Sequence, residues 1–397
     1  MVTAQRLNGI GEYYFSKKLR EIELLNREGK RIISLGIGSP DQPPHPDVLK
    51  TLNEESVKPG VHGYQSYRGS PVLRNAMAAW YRQWYGVELD PEQEILPLAG
   101  SKEGIMHICM TYINPGDLVL IPDPGYPTYR SAAGLASGQV AVYHLRAEND
   151  WYPDFGELKS LLATKRAGQE GVLMFVNYPQ MPTGQLPDKK RFEDLVSFAK
   201  ENGILLVHDN PYSFILNEEP MSLMSIAGAK EQVIELNSLS KSHNMAGWRV
   251  GMLLASRERI NEVLRFKTNM DSGMFLPLQL AAARALMLPA SWYKSVNDTY
   301  RKRKAAVEAL LDEMGCRYSR KQAGLFVWAR VPEGIKDGYA LSDLVLYKAG
   351  VFITPGGIFG DSGNEYVRVS LCATEENIWE SLARVKQADI LKPVQHV

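Results

Sequence analysis

The chain of 397 residues is long enough to form more than one hydrophobic core, so we expect two domains. Apolar residues make up 45% of the chain and charged residues 23%, which is the composition of an ordinary globular protein. Its 45 basic and 45 acidic residues balance, which argues against nucleic acid or an anionic membrane surface as a partner.

The three cysteines, Cys109, Cys316 and Cys372, lie far apart and form no C-x-x-C pair. Their spacing argues against a disulfide framework or a zinc site, so we expect no metal and a reducing compartment. Residues 1–10 contain no apolar core of signal-peptide length, and no run approaches the roughly 20 apolar residues that span a bilayer. We therefore expect a cytoplasmic protein.

In chain order, the pattern begins with a charged amphipathic helix over residues 13–30 and a strand over residues 32–35. Short apolar runs then alternate with helical patterns such as residues 189–202, and four of these runs are predicted to be buried strands: 118–121, 172–176, 204–207 and 233–236. Repeated strand, helix and strand predict an α/β fold with a mostly parallel sheet covered on both faces.

The pattern changes after residue 286, where a long polar helix over residues 291–314 precedes strand and turn signals at residues 324–328. This change predicts three regions. Residues 1–47 form an N-terminal segment that packs with the smaller domain, residues 48–286 form a large domain, and residues 287–397 form a small C-terminal domain.

The segment SLSKSHNMAGWRVG at residues 238–251 contains the most informative chemistry. The amine of Lys241 can form an imine with an aldehyde, and Ser238, Ser240 and Arg249 can bind a phosphate. Pyridoxal phosphate is a small molecule that carries both an aldehyde and a phosphate. The alternative for an isolated Ser-Lys pair is a surface lysine in a glycine-containing turn.

The whole segment resembles the cofactor-attachment signature of the class I/II aminotransferases, and further matches follow over nearly the whole chain. The resemblance is greatest to the diaminopimelate and alanine aminotransferase branch. It implies a fold type I transferase, with a large domain built on a mostly parallel sheet and a smaller α+β domain. It also implies that an amino group moves between an L-amino acid and a 2-oxo acid by way of a Schiff base of pyridoxal phosphate on Lys241.

Further cofactor contacts are implied by other matching segments. The turn GSKEG at residues 100–104 opens a helical pattern, and the backbone N–H groups at such a helix start suit a phosphate, with Ser101 and Lys102 contributing. Tyr126, in DPGYPTY at residues 123–129, corresponds to the ring that stacks on the pyridine. Asp209 ends a predicted strand and corresponds to the carboxylate that pairs with the pyridinium nitrogen, and Tyr212 to the donor for the phenolic oxygen.

Two segments correspond to parts of the family that reach the neighbouring subunit. Tyr64, in YQSYRG at residues 64–69, matches a tyrosine that contacts the phosphate of the partner's cofactor. Asn269, in KTNMDSG at residues 267–273, is expected to face the same interface. The resemblance therefore implies a homodimer with shared active sites, although simple interface packing would account for both residues as well.

Substrate binding is implied at both ends of the chain. Arg368 lies in a predicted strand that resembles the carboxylate-binding strand of the family, and a bidentate arginine is the natural partner of an α-carboxylate. Gly38, in LGIGSPD at residues 35–41, matches a loop whose backbone closes on the substrate, where glycine permits a close approach.

One position departs from the family. The segment that usually ends in Asn-Pro-Thr-Gly reads NYPQMPTG at residues 177–184, so Met181 replaces an asparagine that donates to the phenolic oxygen of the cofactor. A thioether has no donor, so the imine should hold its proton to a higher pH than with asparagine at this position.

Substrate choice and reaction type stay open at this point. We find no second arginine in residues 266–276 to pair with a side-chain carboxylate, which argues against strict aspartate specificity. Methionine, aromatic and branched-chain substrates remain open. A carbon–sulfur β-lyase would share the same lysine, aspartate and phosphate site, and a regulatory module could retain the cofactor without turnover. No nucleotide-binding glycine motif of the P-loop or dinucleotide type is present.

Overall fold

The structure is a computed structural model that describes residues 2–8, 11–12, 14–164 and 171–390. The α-helices are α1 Tyr14–Arg27, α2 Pro46–Ser56, α3 Pro71–Tyr85, α4 Ser101–Tyr112, α5 Pro127–Leu135, α6 Phe155–Leu162, α7 Lys189–Glu201, α8 Leu239–Ser242, α9 Arg257–Lys267, α10 Leu276–Leu286, α11 Ala290–Glu313, α12 Gly338–Ala349 and α13 Glu375–Ala388. The strands are β1 Ile33–Ser34, β2 Ile95–Leu98, β3 Leu118–Asp123, β4 Gln139–His144, β5 Val172–Val176, β6 Ile204–Asp209, β7 Val233–Ser238, β8 Gly251–Leu254, β9 Phe326–Arg330, β10 Val351–Phe352, β11 Thr354–Pro355 and β12 Tyr366–Ser370.

A seven-stranded sheet forms the centre of the larger part of the molecule. Its strand order is β2-β8-β7-β6-β5-β3-β4, and β8 runs antiparallel to both of its neighbours while the other six strands run parallel to one another. The four strands predicted from short apolar runs lie within β3, β5, β6 and β7. The predicted α/β architecture with a mostly parallel sheet is therefore confirmed.

Both faces of this sheet are covered, which explains why its strands are apolar without alternation. Along β5, Val172, Met174 and Val176 pack on one side, against α3, α6, α7 and α10. Leu173 and Phe175 pack on the other side, against α4, α5 and α9. Because six of the seven strands, all except the edge strand β4, are buried along their whole length, ligands can reach these six only at their ends.

The C-terminal part contains a three-stranded antiparallel sheet, in the order β11-β12-β9, that packs with α11, α12 and α13. The N-terminal segment belongs with it, because β1 pairs in parallel with β10 and Phe15 of α1 packs with Phe352. The helix predicted over residues 13–30 is α1, and Tyr13 lies outside the described residues. The domain boundaries at residues 47 and 286 stay a prediction.

Among the helices of the described residues, none combines the length and the apolar character that a membrane crossing requires.

Glycine at position 104 sets how closely α4 approaches the central sheet. A Cβ atom at Gly104 would lie 2.5 Å from Leu236 Cδ2 and 2.6 Å from Leu98 Cδ1, on strands β7 and β2. Gly134 lies in α5, also packed on the sheet, but nothing stands within 4 Å of a Cβ atom there. The two helical glycines therefore differ in packing and share their intrinsic cost to helix stability.

We expect Gly104→Ala to lower the free energy of unfolding of the apoprotein by about 1–3 kcal/mol, because the added methyl group overpacks the helix against two buried leucines. The matched variant Gly134→Ala should unfold at the same or a higher urea concentration, because alanine favours the helix by up to about 1 kcal/mol. Urea unfolding followed by circular dichroism measures both. Equal midpoints for the two variants would contradict the packing argument.

Candidate active site

A cavity of about 370 Å³ opens at the carboxyl ends of the parallel strands, where the central sheet meets β9 and β12. Ligands of open α/β sheets bind at this edge because the strand ends and the helix starts converge there. All of the predicted site residues except Tyr64 and Asn269 line the cavity: Gly38, Ser101, Lys102, Tyr126, Asp209, Tyr212, Ser238, Ser240, Lys241, Arg249 and Arg368.

Lys241 lies on the single turn of α8, immediately after β7, and its side chain reaches across the cavity. Its Nζ atom donates to the carbonyl oxygen of Gly38 at 2.6 Å. Burial lowers the pKa of the Lys241 amine, and the positive charges of Arg368 and Arg249 act in the same direction. A lowered pKa increases the neutral fraction of an amine, and the neutral form is the nucleophile and the base.

Asp209 is the last residue of β6, and its side chain points into the cavity. Its Oδ2 atom accepts a hydrogen bond from the hydroxyl of Tyr129 at 2.9 Å, while its buried Oδ1 atom has no hydrogen-bond partner among the described residues. Burial raises the pKa of Asp209 to about 6, against the opposing effects of Tyr129, His208 and Lys241. An unpartnered carboxylate oxygen in a cavity fits an N–H donor of a ligand, such as a pyridinium ring.

The end of the cavity beside the start of α4 has the groups that bind an anion. α4 begins at Ser101, and the preceding Gly100 has a φ of 87°, which glycine adopts without strain. A Cβ atom at Gly100 would lie 2.2 Å from Nη2 of Arg249, so the guanidinium lies directly against this turn. The backbone N–H groups at the helix start and the arginine thus face the same space, which suits a phosphate.

Two serine hydroxyls complete this end of the cavity. Ser238 caps α8 by accepting from the backbone N–H of Ser240, and the Oγ atoms of the two serines lie 2.9 Å apart. Both residues are buried, and both line the cavity. They are therefore placed to donate to the same anion as Arg249.

Glu103 stabilises the turn before α4 by a hydrogen bond to its backbone. Its Oε2 atom accepts from the backbone N–H of Ala99 at 2.6 Å, and its Oε1 atom lies 3.3 Å from Nε2 of His107. Asp271 completes a group of side chains that could ligate a metal, but the buried ammonium of Lys267 already donates to Asp271 and supplies the positive charge. We interpret this group as a structural ion network.

Arg368 is a buried residue of β12 and enters the cavity from the C-terminal part. Its guanidinium lies 3.7 Å from the ring centre of Phe326 and 4.5 Å from that of Phe359. Nη2 donates to the carbonyl oxygen of Gly36 at 2.9 Å, and Nη1 lies 3.3 Å from the thioether sulfur of Met181. A guanidinium oriented by aromatic rings presents a planar fork that suits a carboxylate.

Several lining residues were not among the predicted site residues. Tyr129 ends the segment DPGYPTY, and its hydroxyl donates to Asp209. Asn177 donates to the backbone carbonyl of Asp209 at 2.5 Å and accepts from the N–H of Met181 at 2.7 Å. The apolar lining also includes Phe15, Ile37, Phe326 and Phe359. Phe15 had no signal beyond the apolar side of an amphipathic helix, because Phe352 and Arg368, against which it packs, are more than 300 positions away in sequence.

Tyr64 and Asn269 do not enter the cavity of their own chain. The side chain of Tyr64 is 95% exposed, and Asn269 is exposed with its amide bound to the carbonyl of Arg265. Their segments lie together, because a Cβ atom at Gly273 would be 2.4 Å from the carbonyl oxygen of Gln65. The two segments thus form one exposed surface outside the cavity.

Comparison with known proteins assigns the family. Residues 30–385 match the family model described as aminotransferase class I and II. The LL-diaminopimelate aminotransferase of Halothermothrix orenii is 40% identical over 392 residues, which cover 98% of this chain and 99% of the relative. That of Desulforudis audaxviator is 39% identical over 387 residues, which cover 97% of each.

Solved structures agree with this assignment. Substrate-bound BacF from Bacillus subtilis matches with a TM-score of 0.91 at 33% identity and covers 98% of both chains. A probable N-succinyldiaminopimelate aminotransferase from Thermus thermophilus matches with a TM-score of 0.87 at 32% identity, covering 94% of this chain and 99% of the other.

The residues present also fit the cofactor of that family. The unpartnered Oδ1 atom of Asp209 suits a pyridinium N–H, the turn at Gly100 suits a phosphate, and the amine of Lys241 lies in the same cavity. The chain therefore belongs to the class I and II aminotransferases, and it is a pyridoxal-phosphate-dependent aminotransferase of fold type I.

Proposed function

We propose that this aminotransferase works through Lys241, Asp209 and Tyr212, with Arg368 holding the α-carboxylate of the substrate. Pyridoxal phosphate, when bound, supplies an aldehyde that captures amines and a ring that accepts electrons from the substrate α-carbon. The observation that carries the proposal is one cavity in which the Lys241 amine, an unpartnered oxygen of Asp209 and the Arg368 guanidinium all meet.

Lys241 has two tasks in this proposal. Its amine holds the cofactor through the aldehyde between turnovers, and it moves the proton of the substrate α-carbon once the incoming amine has displaced it. Both tasks need a neutral amine, and the burial that lowers the pKa of Lys241 favours that form. The hydrogen bond from the Lys241 amine to the carbonyl oxygen of Gly38 supports this proposal, because it brings the amine beside the segment proposed to contact the substrate.

Asp209 and Tyr212 would bind two different polar groups of the ring in this proposal. Asp209 accepts the ring N–H, and Tyr129 and Asn177 fix its side chain and its backbone. Tyr212 donates to the phenolic oxygen, with burial raising the pKa of its hydroxyl so that the proton is retained. Tyr126 supplies the stacked ring, and its hydroxyl has a raised pKa for the same reason.

The phosphate is held by the anion site at the start of α4. Ser101 and Lys102 contribute from α4, and Ser238, Ser240 and Arg249 from the segment around Lys241. This set comes from two segments that are separate in the sequence and adjacent in the fold, since Arg249 lies against the turn at Gly100. Gly38 brings its backbone close to the substrate, since the position of its missing Cβ atom lies 2.2 Å from the ring of Phe326.

We propose amino acids with apolar side chains as substrates. Phe15, Ile37, Met181, Phe326 and Phe359 form the part of the cavity around Arg368. Among the described residues that line the cavity, Asp209 is the only carboxylate, and its role is to pair with the ring. A substrate with a second ammonium group would leave that charge buried without a free carboxylate among the described lining residues, which is unfavourable.

Diaminopimelate is the second candidate substrate, because LL-diaminopimelate aminotransferases are similar to this chain over its whole length. Its second ammonium and carboxylate groups would need partners from the neighbouring subunit. The exposed segment around Tyr64 and Asn269 is the part of the chain that could provide them.

We further propose a homodimer in which Tyr64 and Asn269 serve the partner's active site. Supporting this, Tyr64 is exposed and lies outside its own cavity, and the tight packing of Gly273 on Gln65 makes the two segments one surface. A cytoplasmic location stays a prediction from the sequence.

The first experiment follows the absorbance of the cofactor-loaded enzyme with amino acids added one at a time. We expect phenylalanine, methionine or leucine to bleach the visible band with a kcat/KM at least about tenfold higher than LL-diaminopimelate, because buried unpaired charges are penalised. A 2-oxo acid should restore the band stoichiometrically, which a β-lyase does not require.

Two outcomes of this experiment would refute separate parts of the proposal. A preference for LL-diaminopimelate would refute the apolar substrate class and leave transamination intact. Lys241→Ala serves as the control and should bind the cofactor without responding to any amino acid. A Lys241→Ala enzyme that still turns over would refute the role of Lys241.

Met181 is expected to tune the bound cofactor. We predict that the absorbance of the cofactor-loaded native enzyme titrates at a higher pH than that of Met181→Asn, because asparagine adds a donor to the phenolic oxygen and methionine has none. Met181→Leu is the matched control, since it also lacks a donor and should titrate like the native enzyme. A spectrophotometric pH titration with the opposite order would show that the ring oxygen does not sense this position.

The shared-site proposal predicts complementation between two inactive or weakened proteins. Lys241→Ala and Tyr64→Ala homodimers should regain activity after mixing and subunit exchange, because one site of each hybrid dimer receives both an intact Lys241 and an intact Tyr64. Activity and sedimentation velocity measure the result. If Tyr64 served its own chain, every hybrid site would lack one residue and mixing would recover nothing.

A further inference from the structure

Directly behind Asp209, a histidine and a glutamate form a pair inside the core of the large sheet. His208 precedes Asp209 on β6, so its side chain projects to the other face of the sheet. Glu235 lies beside it on β7, and the two residues are paired in the sheet register. Both side chains are fully buried, with no exposed surface.

The environment of Glu235 consists of hydrogen-bond donors. Its Oε2 atom accepts from Ser222 Oγ at 2.8 Å and from the backbone N–H of Leu223 at 3.0 Å, and its Oε1 atom accepts from Tyr81 Oη at 2.8 Å. The serine hydroxyl already accepts from the N–H of Met224, so its own proton is directed to Glu235. Although burial acts to raise the pKa of Glu235, His208 and these donors lower it, so the group is a carboxylate.

Both ring nitrogens of His208 face hydrogen-bond acceptors. Nδ1 lies 2.8 Å from Oε2 of Glu235, and Nε2 lies 3.1 Å from the backbone carbonyl oxygen of Tyr178. A neutral imidazole has one N–H group and one lone pair, so one of these contacts would set a lone pair against an acceptor. Both contacts are favourable only when both nitrogens carry a proton.

A positive charge at this place acts on the neighbouring catalytic carboxylate. Burial raises the pKa of Asp209, and the charge of His208 is among the effects that oppose the rise. Among the described residues, the other titratable groups that face Asp209 are Lys241, which also lowers its pKa, and the hydroxyls of Tyr126, Tyr129 and Tyr212, which burial keeps protonated. His208 is the one cation among them that takes no part in the proposed proton transfer.

We propose that His208 is a positioning residue, a buried imidazolium held between Glu235 and the Tyr178 carbonyl that keeps Asp209 ionised beneath the cofactor ring. The proposal rests on the role proposed for Asp209. His208 touches neither substrate nor cofactor, and it acts through the carboxylate that follows it in the chain. Glu235 fixes the orientation of the imidazolium and balances its charge within the apolar core.

The first test reads the protonation of His208 in the apoprotein, without the cofactor. Nitrogen-15 NMR of the histidine rings at pH 8 should show one ring with two slowly exchanging N–H groups, because an exposed histidine is neutral at this pH. The signal should be absent from His208→Gln. A native spectrum in which every histidine ring is a neutral tautomer would overturn the proposal. The native protein alone gives this result, so the test does not depend on whether a variant folds.

The second test follows the pH dependence of activity and of cofactor binding. In His208→Gln, the acid limb of kcat/KM and of pyridoxal phosphate affinity should move up by about one pH unit, because loss of the cation raises the pKa of Asp209 and the ring requires its ionised form. His144→Gln is the matched control, since His144 forms a surface pair with Glu157 and should leave both profiles in place.

The outcomes of these tests separate the role of His208 from the role of Asp209. Reduced stability of His208→Gln with unchanged pH profiles would mean that His208 is merely structural, which overturns the proposal. Asp209→Asn tests the underlying role separately, since it should abolish most of the activity at every pH. If Asp209→Asn kept full activity, the role of Asp209 would fail, whatever the NMR spectrum of His208 showed.

Discussion

A carboxylate buried at the end of a parallel strand is the constraint on which the rest of this site depends. Asp209 is 4% exposed, and removing such a group from water costs several kcal/mol unless protein groups replace the lost hydration. Tyr129 from α5 replaces part of it, and Asn177 from the loop after β5 fixes the backbone at this position. The remaining oxygen is directed into the cavity, so the fold leaves one hydrogen-bonding site to be filled by a ligand.

The loop after β1 connects the two halves of the active site. The carbonyl oxygen of Gly36 accepts from Arg368 in the C-terminal part, and that of Gly38 accepts from Lys241 in the large part. No side chain fits at either position, because Cβ atoms there would lie 2.3 Å from Phe352 and 2.2 Å from Phe326. A short segment near the amino end of the chain thus brings the amine and the guanidinium to the same cavity.

The arginine and the apolar lining are parts of one arrangement. The guanidinium of Arg368 rests against the rings of Phe326, Phe359 and Phe15, and such contacts contribute from about 0.5 kcal/mol at exposed sites to about 2 kcal/mol or more where water is excluded. The same rings form the wall beside the place proposed for the substrate side chain. In the proposed function, binding of the α-carboxylate and binding of an apolar side chain therefore involve the same residues, and the thioether of Met181 also contacts Arg368.

The sequence by itself determined the family, the mostly parallel sheet and most of the residues that line the cavity. These signals are local: continuous apolar runs specify strands buried on both faces, and the segment around Lys241 places an amine, two hydroxyls and an arginine within fourteen residues. Only the tertiary structure decided which distant residues meet. Phe15, Tyr129 and Phe326 reach the cavity from separate elements, and the acceptors around His208 come from Glu235 and a backbone carbonyl. Contacts of this kind depend on how packed layers bring remote segments together, and neither periodicity nor spacing along one chain records that geometry.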